Sequence, residues 1–170
     1  MNEQNLTEDV INRAKKVKLL LMDCDGVLTD GRLYYSEKGE ELKVFHVRDG
    51  QGLVLWHQAG FRSGIITGRK SKILEVRANE LGIDFLRQGS KDKLRDFEDI
   101  IREADVLADE VAYIGDDIVD IALLKNVGLA VAVSDAIGEV FLRASFITES
   151  KGGLGAVREV IDLIFNSKNR

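Results

Sequence analysis

Lys18-Leu19-Leu20-Leu21-Met22-Asp23-Cys24-Asp25-Gly26 is an apolar run that stops abruptly at two aspartates and a glycine. It shows no alternation of apolar and polar residues, the pattern of a strand covered on both faces in a parallel sheet. The same passage from apolar strand to polar tip returns at Gly64-Ile65-Ile66-Thr67-Gly68, at Val111-Ala112-Tyr113-Ile114-Gly115-Asp116-Asp117 and around Leu129-Ala130-Val131-Ala132-Val133. Helical patterns separate these runs, over roughly Gln51–Ala59, Ser71–Leu81, Asp92–Ala104, Ile118–Lys125 and Leu154–Phe165. Leu6, Val10, Ile11 and Ala14 mark a further short helix ahead of the first strand. Alternating strands and helices predict right-handed crossovers and an α/β fold, a doubly wound parallel sheet of Rossmann-like type. In such sheets ligands bind beyond the carboxyl ends of the strands, where all these polar tips lie.

One segment breaks the alternation. Leu33-Tyr34-Tyr35 and Leu42-Lys43-Val44-Phe45-His46-Val47 flank the turn-like Ser36-Glu37-Lys38-Gly39-Glu40, which predicts a β-hairpin inserted without a separate cap domain. Leu42 and Val44 would share one face of its second strand, and Phe45 and Val47 the other. A small hairpin apolar on both faces needs cover on both, so another copy of the chain is the expected partner.

The 170 residues suit one domain spanning 1–170, and 45% hydrophobic with 31% charged residues is the balance of an ordinary globular chain. A net charge of −5, with no long Lys/Arg run, argues against nucleic acid as a partner but not against a small phosphorylated molecule. Met1 is followed by Asn2, Glu3 and Gln4 rather than a basic and then apolar leader, and no run approaches membrane-spanning length. Together with the single cysteine, Cys24, this predicts a cytoplasmic protein without a membrane partner.

The chemistry gathers at the strand tips. Asp23 and Asp25, two residues apart, point the same way from the sheet edge if the backbone stays extended. Two carboxyls in one site call for a cation or a proton, although Asp and Gly also make ordinary solvated turns. Gly115-Asp116-Asp117 with Asp120 forms a second acidic tip, and two such tips on one sheet can converge on Mg²⁺, which takes one or two carboxylates besides water and phosphate oxygens. Asp116 is the better ligand candidate, since Asp117 and Asp120 also suit a helix N-terminus. Thr67 and Gly68 offer a hydroxyl and backbone N–H groups at a strand-to-helix turn. Lys93 opens a helix, but the residue pattern alone does not separate it from Lys91. Cys24 reads as a core filler, and His46 and His57 lack companions at ligand spacing.

Asp23-Cys24-Asp25-Gly26-Val27-Leu28-Thr29-Asp30-Gly31, then Ile65-Ile66-Thr67-Gly68-Arg69, then Lys93, then Tyr113-Ile114-Gly115-Asp116-Asp117 through Asp120 resemble the four ordered motifs of the haloacid dehalogenase superfamily of phosphatases. Asp49-Gly50-Gln51-Gly52, Gln88-Gly89 and Gly152-Gly153-Leu154-Gly155-Ala156-Val157-Arg158-Glu159 further resemble hallmark stretches of its 3-deoxy-D-manno-octulosonate 8-phosphate phosphatase branch. The resemblance implies Asp23 as nucleophile and Asp25 as general acid and base, with Thr67 and Lys93 on phosphoryl oxygens. It implies Mg²⁺ on the Asp23 carboxylate, the Asp25 backbone carbonyl and Asp116, braced by Asp117 and Asp120. Gly68, Arg69 and the Gly152–Arg158 tail would help to bind or enclose the substrate, and the branch implies a homotetramer acting in lipopolysaccharide precursor synthesis. A phospho-receiver domain fits less well: its adjacent acidic pair, mid-chain phosphorylated Asp and proline are missing. A non-catalytic sugar-phosphate binder would not need every catalytic side chain, and an N-acylneuraminate 9-phosphate phosphatase would share nearly all these motifs.

Overall fold

The structure is a computed structural model that describes residues 6–170; residues 1–5, on which the reading of a leaderless start rests, lie outside it. In chain order the strands are β1 (Leu19–Met22), β2 (Tyr34–Ser36), β3 (Gly39–Leu42), β4 (Arg62–Thr67), β5 (Phe85–Gln88), β6 (Val111–Gly115), β7 (Leu129–Ala132) and β8 (Phe146–Ile147). The helices are α1 (Glu8–Lys16), α2 (Val47–Gln58), α3 (Lys72–Leu81), α4 (Lys93–Ala104), α5 (Ile121–Leu124), α6 (Gly138–Phe141) and α7 (Ala156–Lys168). Six strands form one parallel sheet in the order β5-β4-β1-β6-β7-β8, and β2 and β3 form a separate antiparallel pair.

The expected α/β architecture is therefore present. β1 is buried along its whole length because it lies in the middle of the sheet, with Met22 level with Ile65 of β4 on one side and Ile114 of β6 on the other. The chain winds outward from β1 through β4 to β5, then returns to the other side for β6, β7 and β8. The switch point of the sheet thus falls at the end of β1, flanked by the ends of β4 and β6, where a doubly wound fold leaves its crevice.

Helix starts follow the capping residues in the sequence. Thr7 accepts the Val10 N–H, Ser71 the Leu74 N–H and Asp92 the Arg95 N–H, each through its side chain. The cap at Asp92 places Lys93 at the first position of α4, while Phe97, Ile100 and Ala104 turn the helix onto the core. Trp56 is fully buried, stacks on Phe61 with ring centroids 4.5 Å apart, and donates its indole N–H to the Arg62 carbonyl at 2.8 Å. No helix among the described residues is long and apolar enough to cross a membrane.

The hairpin forms, but its second strand is displaced. It pairs over Gly39–Leu42 instead of continuing to Val47, and residues 43–46 run on irregularly to α2, which begins at Val47 rather than Gln51. His46 is the N-cap of that helix and accepts the Arg48 N–H through Nδ1 at 3.3 Å. Val47 has high strand propensity, but the cap ahead of it and the burial of Leu53 and Trp56 at helical spacing prevail. Two strands are not legible in the sequence: β5, Phe85-Leu86-Arg87-Gln88, is half polar and forms no apolar run, and β8 has only two residues.

Candidate active site

Four chain segments bring the polar tips together at the switch point. Asp23 follows β1 directly, its N–H donating to the Ile114 carbonyl of β6 at 3.0 Å, so the register of the sheet fixes its position. Its Oδ1 accepts the Cys24 N–H at 2.7 Å, and its Oδ2 lies 3.1 Å from Lys93 Nζ. Lys93 also reaches Asp120 Oδ1 at 2.7 Å. Lys93 is buried whereas Lys91 is exposed, a distinction made by the helix that starts between them. Thr67 is buried at the end of β4, and its carbonyl accepts the Ser90 N–H at 3.0 Å. Gly68 is exposed beside it, and a cavity of about 360 Å³ lined by Gly68, Ser90 and Lys93 opens there.

Asp120 is fully buried and is the brace of the cluster. Its Oδ1 accepts from Lys93 Nζ and from the Tyr113 hydroxyl at 2.6 Å, and its Oδ2 accepts the N–H groups of Asp116 at 3.0 Å and Asp117 at 3.3 Å. Burial, and then the Asp120 charge, push the Tyr113 hydroxyl well above its ordinary pKa, so it stays a donor. Asp117, expected to brace the site through its carboxylate, instead turns that group to the Ile118 N–H at 2.7 Å and to solvent. Its main-chain N–H donates to the Asp120 carboxylate at 3.3 Å, and its carbonyl accepts the Asp120 N–H at 2.9 Å. The competing cap reading describes Asp117, because position 117 precedes the turn whereas Asp120 sits one turn inside, facing the sheet.

The cluster fits a hard divalent cation. Asp23, Asp116 and Asp120 each offer a carboxylate oxygen, all within 4.8 Å of one another. Among the described residues, Oδ1 of Asp116 is buried without a hydrogen-bond partner. Desolvation, followed by the charges of Asp120 and Asp23, pushes Asp116 up to about 7. Desolvation also raises Asp23 to about 6 against the pull of Lys93. For Lys93, burial opposes the charge, but Asp23 and Asp120 outweigh it and hold the ammonium above its ordinary value. Two crowded carboxyls with raised pKa and one orphaned oxygen are the condition a divalent oxygen-ligated ion relieves.

The Asp25 carboxylate stands outside this group of three and has partners of its own. It pairs with Lys43, just beyond β3, and lies 3.5 Å from Arg69 Nε. Arg69 in turn hydrogen-bonds the Tyr35 hydroxyl, and its guanidinium lies 5.7 Å from the centroid of that ring. Lys43 and Tyr35 were not legible as site residues, since a lysine or tyrosine in a short strand carries no motif. The signal available was Lys43 alone among Leu42, Val44 and Phe45, a charge where the neighbours are apolar.

The glycine-rich tail docks on the Asp23 loop. The Gly153 N–H donates to the Val27 carbonyl at 2.9 Å, and a Cβ on Gly152 would stand 1.7 Å from the Gly26 carbonyl oxygen. Gly26 has φ 94°, and a Cβ there would meet Asp116 Oδ2 at 2.0 Å. Glycine is required at both positions by close approach. The far end of the tail is fixed by Asp49, whose buried carboxylate accepts the N–H groups of Gly155 at 3.2 Å and Arg158 at 2.8 Å. The Arg158 side chain is turned along its own helix to Asp162 at 2.9 Å.

Fold and site together define a class. The chain belongs to the haloacid dehalogenase-like hydrolases, whose family pattern matches residues 66–161. It is 46% identical over 165 residues to the 3-deoxy-D-manno-octulosonate 8-phosphate phosphatase of Yersinia pestis, spanning 97% of this chain and 88% of that relative. The crystal structure of the Yersinia pestis phosphatase matches with a TM-score of 0.94, over 96% of this chain and 89% of that one. The Moraxella catarrhalis phosphatase of the same name, solved in complex with a magnesium ion, a phosphate ion and a KDO molecule, matches with a TM-score of 0.93 at 38% identity, over 96% and 94% of the two chains.

Proposed function

We propose that this protein is a Mg²⁺-dependent phosphatase that hydrolyses 3-deoxy-D-manno-octulosonate 8-phosphate to the free sugar acid and phosphate through an aspartyl phosphate on Asp23. The observation that carries this reading is the placing of Asp23 at the switch point of the sheet, 3.1 Å from Lys93 and inside the carboxylate cluster, in a chain so similar to phosphatases named for that substrate.

In the first half-reaction an Asp23 oxygen attacks phosphorus, the bond from phosphorus to the sugar oxygen breaks, and the Asp25 carboxyl gives its proton to that leaving oxygen. In the second, the Asp25 carboxylate takes a proton from water as the water oxygen attacks phosphorus, which returns free Asp23 and releases phosphate. The Thr67 hydroxyl and the Lys93 ammonium hold equatorial phosphoryl oxygens, and Asp120 keeps Lys93 charged and aimed. Asp23, Asp116 and the Asp25 backbone carbonyl would hold Mg²⁺, which supplies charge neutralisation for the carboxylates and the transferring group.

Arg69 stands at the rim beside Asp25, where a guanidinium suits the carboxylate of an acidic sugar. Leu33, Tyr34, Tyr35, Leu42, Val44 and Val47 are all exposed on the hairpin and the start of α2, which supports a homo-oligomer, taken as a tetramer, covering this surface. We place the protein in the cytoplasm, as a single domain over residues 1–170, in lipopolysaccharide precursor synthesis.

Phosphate release from a panel of sugar phosphates in Mg²⁺ tests the assignment. The 8-phosphate of 3-deoxy-D-manno-octulosonate should show a higher kcat/KM than glucose 6-phosphate, and Arg69→Ala should lower it by about 10- to 100-fold, as loss of a charge-assisted pair does. Equal efficiency on glucose 6-phosphate, or better efficiency on an N-acylneuraminate 9-phosphate, would contradict the substrate while leaving the chemistry in place.

A further inference from the structure

Lys43 lies where a lysine is costly. It directly follows β3, between Leu42 and Val44, which are 49% and 50% exposed, yet its own side chain is only 1% exposed. Burial alternates over residues 42–44, with Lys43 inward and its two neighbours outward. An ammonium carried out of water is unfavourable unless it is paired and hydrogen-bonded, and a leucine or methionine there would anchor the hairpin without that cost. Its Nζ contacts Oδ1 of Asp25 directly, while Arg69 Nε faces the other oxygen at 3.5 Å. Two cations from different elements, the hairpin exit and the loop after β4, therefore bracket one carboxyl that is itself largely buried.

We propose that Lys43 is a positioning residue for the reaction: it fixes the Asp25 carboxyl with one oxygen turned to the leaving group, so that the proton on that oxygen is delivered as the phosphorus–oxygen bond breaks. Arg69 sits on the same carboxyl from the solvent side, where an incoming acid would compete with Asp25 and Tyr35 for its guanidinium, whereas Lys43 is packed beneath and out of such reach. The division of labour follows from exposure: the buried cation holds Asp25, and the half-exposed one meets substrate. An ion pair that merely fastened the hairpin would leave the chemistry of the leaving group untouched.

This inference rests on the reading of Asp25 as the acid, and the test separates the two. kcat and KM are measured for wild type, Lys43→Met, Asp25→Asn and the double variant on 3-deoxy-D-manno-octulosonate 8-phosphate and on p-nitrophenyl phosphate, whose leaving group departs without a proton. Lys43→Met should lower kcat/KM on the sugar phosphate by about 10- to 100-fold, part of the ~10²–10⁴-fold that a positioned acid contributes. Its kcat/KM on p-nitrophenyl phosphate, which covers only the steps up to the aspartyl phosphate and so leaves out the later step in which Asp25 is the base, should change by less than about threefold, and adding Lys43→Met to Asp25→Asn should cost nothing further. Equal losses on both substrates, or full additivity in the double variant, would overturn the role of Lys43 alone. Sugar-phosphate turnover retained by Asp25→Asn would overturn the acid assignment and the inference with it. Should Lys43→Met fail to fold, Lys43→Arg keeps the charge and displaces it; a drop in the ratio of kcat/KM on the sugar phosphate to kcat/KM on p-nitrophenyl phosphate supports the proposal, and an unchanged ratio contradicts it.

Discussion

Asp116 and Asp23 hold the electrostatic tension of the site, and both are raised chiefly by burial, to about 7 and about 6 from an ordinary 3.8. Each binds a proton more readily in the fold than in the unfolded chain. In the metal-free protein their contribution to stability is therefore complete below 3.8 and is lost as pH rises through about 6 and 7. Magnesium competes with those protons, so its affinity should rise at least about tenfold between about pH 5 and about pH 8, read by calorimetry or by the thermal shift on adding the ion. Equal shifts at both pH values would contradict a site built on these two carboxyls. At this scale Asp23, Thr67 and Asp116 were legible because each closes an apolar run. Lys93 became legible only through family resemblance, and the Lys43–Asp25 pair not at all, since the geometry joining residues eighteen apart arises from the hairpin fold.

At the scale of elements, the sheet was readable and the hairpin only in part. Runs such as Leu19–Met22 and Val111–Gly115 have one interpretation, whereas residues 42–47 satisfy strand propensity and helix capping at once. The start of α7 shows a device that no local pattern reveals. Its N-cap is Gly155, at φ 106° and without a side chain, and the capping carboxylate comes from Asp49 in the first turn of α2. Burial raises the Asp49 pKa even though the Arg158 and Gly155 N–H groups favour its charge. Asp49→Ala should destabilise the protein by about 1–3 kcal/mol, the cost of a lost cap that leaves buried N–H groups unpaired. The same variant should speed hydrogen exchange in residues 152–158 and lower activity by loosening the tail on the Asp23 loop. Unchanged stability and exchange would show that water or neighbouring groups replace the cap.

For the molecule as a whole, one group of exposed apolar side chains, Leu33, Tyr34, Tyr35, Leu42, Val44 and Val47, lies on the hairpin side and the candidate catalytic groups at the switch point, joined by Tyr35 on Arg69 and Lys43 on Asp25. An assembly covering the hairpin would therefore act on the site's rim. Light scattering at working concentration should give a homotetramer, and charges introduced together at Leu33 and Val44 should dissociate it and reduce turnover; a stable wild-type monomer would remove this argument. The parallel sheet and the tips of β1, β4 and β6 followed from the alternation of elements, while partner surfaces depend on which apolar groups remain uncovered after folding. The central claim is that Asp23 accepts the phosphoryl group. Its most direct test is phosphate release from 3-deoxy-D-manno-octulosonate 8-phosphate in Mg²⁺ by wild type and by Asp23→Asn, with both shown to be folded by circular dichroism. The account predicts sustained release by wild type and a loss on the order of 10³-fold or more in the variant, because an amide is no nucleophile here. Comparable release by both proteins would contradict it.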